Sequence, residues 1–248
     1  MFSFLKRSSR PSTTSYAGLN VDMHSHILPG IDDGAPNVET SVLLIKGLMQ
    51  LGFEAFIATP HIYQELYPNT NETIETALQD TRKALKEAGI QVRVEAAAEY
   101  MLDDHFEQLL ETTPLRTLPG NRALIEMSPL SAPPNLDHIL FRMQLKGYVP
   151  LIAHPERYLF VKTNKARYHD WHDRGYELQL NLLSLTGYYG PSVRDLGLYL
   201  LKNKLVHFAG TDLHHTKHLE LLGKTLKDKN LQKLLQYEGL NNKNLFQN

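Results

Sequence analysis

From Asn20 to His214 the apolar residues keep switching between two periods, and this alternation constrains the fold more than any other feature of the chain. Short β-rich runs, "NVDMHSH", "AFIATPH", "VRVEAAAEY", "RALIEMS", "YVPLIAHPER", "ELQLNLLSL" and "LVHFAGTDLH", are separated by longer stretches with apolar positions three and four apart. The spacing predicts helices over Val38 to Leu51, Asn71 to Ala88, Leu136 to Lys146, Asn164 to Arg174, Val193 to Asn203 and about Lys217 to Tyr237. Asn37 and Asn71 stand as helix-opening residues, and Gly52, Gly89, Gly147 and Gly175 follow helices where left-handed caps belong. Strands that alternate with helices pair in parallel, because each return crossover is covered by a helix. The expected architecture is one α/β domain, either an open doubly wound sheet or a barrel, and 248 residues suit either.

The last residues of these runs share a chemistry. The first ends in His24 and His26, the second in His61, the third in Glu99, the fourth in Glu126, the fifth in His154, and the last in Asp212 and His214. In a parallel barrel the carboxyl ends of all strands open on one side, so residues far apart in sequence would meet in one pocket. A His-x-His in a strand places both imidazoles on one face, the arrangement for chelating one ion. Taken alone, His61 also reads as a loop histidine and His154 as a simple strand end. Glu99 and Asp212 follow apolar runs, and a buried carboxylate costs several kcal/mol unless it is paired or metal-bound. The chain has no cysteine, so the candidate ligands are imidazoles and carboxylates, a set that suits Mn, Fe or Zn. His105, His138, His169 and His172 read as surface residues and His207 as core, whereas His215 and His218 fit neither description.

Lys and Arg number 26 against 27 Asp and Glu, which gives no basic excess for nucleic acid or a membrane surface. No segment has the length and hydropathy of a membrane span, and the N-terminus lacks the apolar core of a signal peptide; the expected location is the cytoplasm. Residues 1–18, with Lys6, Arg7 and Arg10, are expected to form a flexible arm, residues 19–248 the domain, and the Asn-rich end "NNKNLFQN" to be peripheral.

With "DMHSHILPGIDDG", "TPH", "AEY", "IEM", "AHPER" and "GTDLH" in this order, the chain resembles the PHP family of metal-dependent phosphoesterases over roughly residues 20–215. "HILPGIDDG" with "HPER" is similar to its bacterial branch of manganese-dependent tyrosine-protein phosphatases of capsule and exopolysaccharide production. The resemblance implies a distorted (β/α)7 barrel and three divalent ions, Mn first, with Fe or Zn as alternatives. By the same likeness, one ion would be held by His24, His26, Glu99 and Asp212, and a second by Glu99, Glu126 and His154. The third would use His61, His214 and Asp33, which is favoured over Asp32. Arg157 matches the arginine expected on the substrate phosphate. The family's second arginine is replaced here by Lys217 and His218, and lysine lacks the two-pronged donor set.

The implied reaction is hydrolysis of a phosphomonoester, with His61, His214 or Asp33 as the proton donor to the leaving group where coordination leaves one free. The implied substrate is a phosphotyrosine protein, with a tyrosine kinase of polysaccharide export as partner. Tyr63, Tyr67, Tyr158, Tyr188 and Tyr189 fall near the strand-end loops, where rings could flank it. The absence of cysteine excludes a thiolate phosphatase. The same residues leave room for a small-molecule phosphatase, such as one acting on histidinol phosphate, and for a non-catalytic, metal-stabilised interaction module.

Overall fold

In the computed structural model, which describes residues 15–247, parallel strands curl around a common axis. The elements follow in the order β1 (Val21–Asp22), α1 (Val38–Gln50), β2 (Ala55–Ala58), β3 (His61–Ile62), α2 (Asn71–Glu87), β4 (Arg93–Ala96) and β5 (Glu99–Met101). After these come α3 (Asp104–Thr112), β6 (Arg122–Glu126), α4 (Leu136–Leu145), β7 (Val149–Ala153), α5 (Ala166–Asp173) and β8 (Glu177–Asn181). The chain closes with α6 (Pro191–Lys202), β9 (Phe208–Gly210), α7 (Thr216–Thr225) and α8 (Lys229–Leu235).

The strands form two sheets, β1-β2-β4 and β3-β5-β6-β7-β8-β9, with every pairing parallel. Two of the seven expected runs are each divided. Pro60 has no N–H to donate, so the second run breaks there into β2 and β3, and its neighbour breaks beside it into β4 and β5. The gap is spanned by Ala97 N–H to Ala58 O (2.8 Å) and Glu99 N–H to Pro60 O (3.0 Å). At the other seam, Ser25 bridges Leu213 in parallel, with His26 N–H on Leu213 O (2.9 Å) and Asp212 N–H on His24 O (2.8 Å). The first and last strand segments therefore meet, and they do so at residues of the expected site.

Side-chain alternation sorts the core into two layers. Leu124, Leu151, Ala153 and Phe208 point into the curl, while Ala123, Ile125, Ile152 and Ala209 point out beneath the helices. Glu126 shares the inner face with Leu124, two residues earlier, which is why a carboxylate at that strand end reaches the interior.

Helix boundaries agree with the spacing to within a few residues, and Asn37 caps α1 through Thr40 N. Three details differ. Thr70, rather than Asn71, caps α2, in a reciprocal box with Thr73. The expected last helix is interrupted after Thr225 and restarts where Asp228 accepts the Asn230 and Leu231 amides. The short α3 was not expected; it holds only Phe106 and Leu110 in the core.

Both ends depart from the expectation. Residues 1–14 of the expected arm lie outside the described residues, but Tyr16 is fully buried, and its hydroxyl donates to Leu222 O at 3.0 Å. The Asn-rich end is not peripheral either. Asn242 donates to Val21 O (3.0 Å) and Ala209 O (2.6 Å) and accepts from Ala209 N (3.0 Å), while Leu245 and Phe246 pack on the inner core. The amide of Asn242 satisfies backbone groups that β1 and β9 leave open between them.

Candidate metal centre

Four side chains from distant parts of the sequence converge inside the curl. His24 Nε2 lies 3.3 Å from Glu99 Oε2 and 3.5 Å from Asp212 Oδ1, and His26 Nε2 lies 3.4 Å from each of the same two atoms. His24 Nε2, His26 Nε2 and Glu99 Oε2 are buried without a hydrogen-bond partner. Ligand bonds of about 2.0–2.2 Å set neighbouring donors roughly 3.0–3.5 Å apart around one ion, so these separations fit shared coordination. Orphaned buried donors cost free energy, and a divalent cation satisfies them together.

The electrostatics point the same way. Burial opposes charge on His24, yet Glu99 and Asp212 outweigh it and carry its pKa up to about 9. Burial works against both carboxylates as well, but the surrounding histidines hold Glu99, and His214 with His24 hold Asp212, well below the ordinary range. The cavity therefore demands positive charge, in the form of imidazolium or metal.

A second group stands nearer the mouth. Asp33 Oδ1 lies 3.5 Å from both His61 Nε2 and His214 Nε2, and Glu126 Oε1 lies 2.9 Å from His61 Nδ1. Four clusters have metal-ligand spacing: His24, His26 and Asp212; His24, Glu99 and His154; His61, Glu99 and Glu126; and His26, Asp33, His61 and His214. Every strand-end residue singled out in the sequence is brought together here. One grouping differs from the expected sets, since Glu126 gathers with His61 while His154 gathers with His24, both about Glu99. Glu99 pairs with both His61 and Leu124, so Glu126 stands two residues beyond their level, and its side chain meets His61 Nδ1 at 2.9 Å. His154 and Asp212 both have positive φ, 31° and 49°, a conformation uncommon for non-glycine residues that is also found here at Asn20, Asn121 and Lys204, away from the site.

Each imidazole of the inner group is oriented through its other nitrogen. His24 Nδ1 meets Gln179 Oε1 at 2.9 Å, and His26 Nδ1 meets Asp32 Oδ2 at 2.8 Å. Donation from Nδ1 leaves Nε2 free as a ligand, which separates the two neighbouring acids. Asp32 aims His26 and also accepts from Gly34 N (2.9 Å) and His61 N (3.2 Å), whereas Asp33 faces the mouth. At the outer group His214 Nδ1 is held by Asp212 O at 2.9 Å.

Strand β8, the one expected run without a titratable end, supplies what sequence reasoning missed. Gln179 Oε1 also accepts His154 N–H at 3.1 Å, and Asn181 Nδ2 donates to Asp212 Oδ2 at 3.0 Å. Their signal in "ELQLNLL" is two amides at alternate positions among the leucines that follow Glu177. Gly210 makes room for this arrangement, since a Cβ there would stand 2.6 Å from His24 Cβ and 2.8 Å from Gln179 Nε2.

Arg157 donates to Asp212 Oδ2 at 2.7 Å and lies over the Tyr189 ring at 4.8 Å. Its turn is tied to β8 by Glu156 Oε1, which accepts Asn181 N–H at 3.0 Å. Tyr67 stacks on His61 with ring centroids 5.4 Å apart, whereas Tyr158 is fully buried and caps Met127 N. Lys217 is exposed, and His218 is buried against His214 and Tyr188, its pKa pushed down to about 4 chiefly by burial. His138 and His172 are exposed and His105 and His169 half-buried; His207, also half-buried, accepts Leu178 N–H.

Imidazoles and carboxylates crowded at the carboxyl ends of a curled parallel sheet define an α/β protein with side-chain clusters able to hold metal. The chain belongs to the capsular polysaccharide synthesis CpsB/CapC family, whose model matches residues 20–222. Tyrosine-protein phosphatase YwqE of Bacillus subtilis is 30% identical over 198 residues, 79% of this chain and 78% of the relative. Tyrosine-protein phosphatase CpsB of Streptococcus pneumoniae is 29% identical over 202 residues, 79% of this chain and 83% of the relative. A crystal structure from the pair YwqE and CpsB, described as unique metal-dependent tyrosine phosphatases, superposes with a TM-score of 0.73 at 28% identity, covering 87% of this chain and 91% of that one. A lactonase of Listeria monocytogenes shares the fold at TM-score 0.53 and 13% identity, covering 93% and 92%.

Proposed function

We propose that this chain is a metal-dependent phosphatase that hydrolyses phosphotyrosine in protein, in the service of capsule or exopolysaccharide synthesis. The observation that carries the reading is the convergence of the orphaned His24, His26 and Glu99 donors with Asp212, in a chain 30% identical to a tyrosine-protein phosphatase. The reading takes each divided strand as one unit, which makes the curled parallel sheet a distorted seven-unit barrel. The proposed centre takes three divalent ions, Mn first, drawing on His24, His26 and Asp212, on His154 beside His24, on Glu126 beside His61, and on Asp33 and His214, with Glu99 shared among the groups. When bound, such ions supply positive charge to the phosphate and lower the pKa of water.

The chain's own residues do the rest. Asp212 holds one arm of Arg157, which aims the remaining guanidinium donors at a phosphate oxygen. Tyr67, stacked on His61, and Tyr189, beneath Arg157, offer aromatic faces to the substrate ring. A leaving phenol has a pKa near about 10 and needs less protonation than an alkyl alcohol. Asp33, with its side chain 48% exposed, and His214, lowered to about 4 mainly by burial and so neutral, serve as ligands at the open mouth. No helix among the described residues is long and apolar enough to cross a membrane. The reading extends to a cytoplasmic location and to a tyrosine kinase of polysaccharide export as the phosphorylated partner.

The test is hydrolysis of p-nitrophenyl phosphate, a phosphotyrosine peptide and histidinol phosphate with added Mn and after chelation. The expected result is Mn-dependent turnover with the peptide preferred over histidinol phosphate. Turnover that survives thorough chelation would sink the metal mechanism, and a preference for histidinol phosphate would move the substrate to the small-molecule class.

A further inference from the structure

Beside Arg157 a groove of about 620 Å³ opens away from the ligand cluster. Arg157 and Tyr189 form the wall it shares with the centre, Leu159, Pro191 and Val193 form its apolar side, and Lys162 stands at its edge. Two contacts hold the groove in shape. Leu159 N–H donates to Pro129 O at 2.9 Å, tying together the loops after β6 and β7, and Lys162 Nζ donates across to Ser192 Oγ at 3.0 Å.

Three features narrow what the groove would take. It is continuous with the centre through Arg157, so a phosphate on that guanidinium delivers the attached chain to its entrance. Its size falls within the roughly 300–1,000 Å³ typical of ligand sites, more than an aryl ring needs. Its charge is one-sided: no carboxylate lines it, Arg157 is held by Asp212, and Lys162 has only a hydroxyl partner among the described residues. Leu159 is 41% exposed there, and the neighbouring loop presents Leu130, 76% exposed.

We infer that this groove is a specificity subsite for the residues flanking phosphotyrosine, seating an apolar side chain against Leu159 and Val193 and an acidic side chain on Lys162. The inference rests on the phosphatase reading, and it makes the preferred substrate an acidic, apolar-flanked phosphotyrosine segment of a protein. A small phosphate ester would fill the centre and leave the groove out of contact.

The experiment compares phosphotyrosine peptides with Glu and Leu, Ser and Ser, or Lys and Ser beside the phosphotyrosine, on either flank, against p-nitrophenyl phosphate. The Mn-loaded protein and its Lys162→Glu variant are assayed, and binding of the matching non-hydrolysable phosphonate peptides is followed by fluorescence anisotropy. The wild type is expected to favour the Glu–Leu peptide over the Lys–Ser peptide by about tenfold in kcat/KM, mostly through KM, as for a single well-placed charge contact. Lys162→Glu should reverse that order while leaving p-nitrophenyl phosphate hydrolysis within about twofold, because repulsion acts only on the flanking charge. Equal rates and affinities for all peptides, or a preference that persists in Lys162→Glu, would overturn the subsite. Failure to hydrolyse p-nitrophenyl phosphate would instead remove the phosphatase reading, with the anisotropy series still deciding whether the groove selects acidic peptides.

Discussion

The inner and outer halves of the centre use the same residue types in opposite ways. His24, His26, Glu99 and Asp212 are buried, and the two histidines are aimed by Gln179 and Asp32. Asp33, His61, Glu126 and His214 stand at the mouth, with side chains 48%, 13%, 13% and 16% exposed. Buried donors with fixed second partners pay little reorganisation on binding an ion, so the inner half is preorganised for tight coordination. Donors open to water exchange their partners readily, which suits the half that must admit substrate and release phosphate. Under the proposed reading, one set of imidazoles and carboxylates would both retain an ion and turn over a substrate, with burial separating the two tasks.

Glu99 tests the contrast most severely because it touches both halves: Oε2 faces His24, His26 and His61, and Oε1 meets His154 at 3.1 Å. Glu99→Gln should lower the Mn-dependent hydrolysis of p-nitrophenyl phosphate by about 10³-fold or more, since a metal supplies several kcal/mol of charge stabilisation and each 1.36 kcal/mol is a factor of ten. The unfolding midpoint should also stop rising on addition of Mn. Asp33→Asn should cost less, about 10²-fold in rate. Its Mn-induced rise in midpoint should stay near that of the wild type, because the inner half is intact. If Asp33→Asn abolishes that rise as completely as Glu99→Gln does, the two halves are one cooperative site and the contrast fails.

What could be read in the sequence, and what could not, follows the same division of scale. The strand ends were legible because burial makes Glu99 and Asp212 costly without a cation, and alternation put His24 and His26 together. The division of the strands was less visible, since Pro60 interrupts a ladder whose apolar pattern runs on past it. Asn242, near the chain's end, could not be foreseen to clamp β1 to β9, because its neighbours Asn241 and Asn244 carry the same side chain without that position. Gln179 escaped because an amide neither titrates nor ligates strongly, and its importance lies in two partners, His24 and the His154 amide, 155 and 25 residues away. Asp32 and Asp33 were separable only by geometry, as adjacent residues of one type that point to different neighbours.

Gln179 gives the mildest test, and one that addresses why the inner half is the tighter. Its Oε1 takes both the His24 Nδ1 proton and the His154 N–H, so one atom sets the tautomer of a ligand and the backbone position of another. Gln179→Leu keeps the approximate volume and removes the acceptor. The His154 amide is then buried without a partner, at a cost of about 1–3 kcal/mol in stability, and His24 is free to rotate or to carry its proton on Nε2. Losing such a second partner weakens metal affinity by about 10–100-fold, and Mn titration followed by thermal unfolding should show a shift of that size. Gln179→Glu separates orientation from packing, because a carboxylate accepts both bonds and also raises the basicity of His24; its Mn affinity should return to within about tenfold of the wild type despite the cost of burying a charge. Equal affinities in the Leu variant and the wild type would mean that His24 is held by the strand alone, and the advantage of the inner half would then rest on burial without orientation.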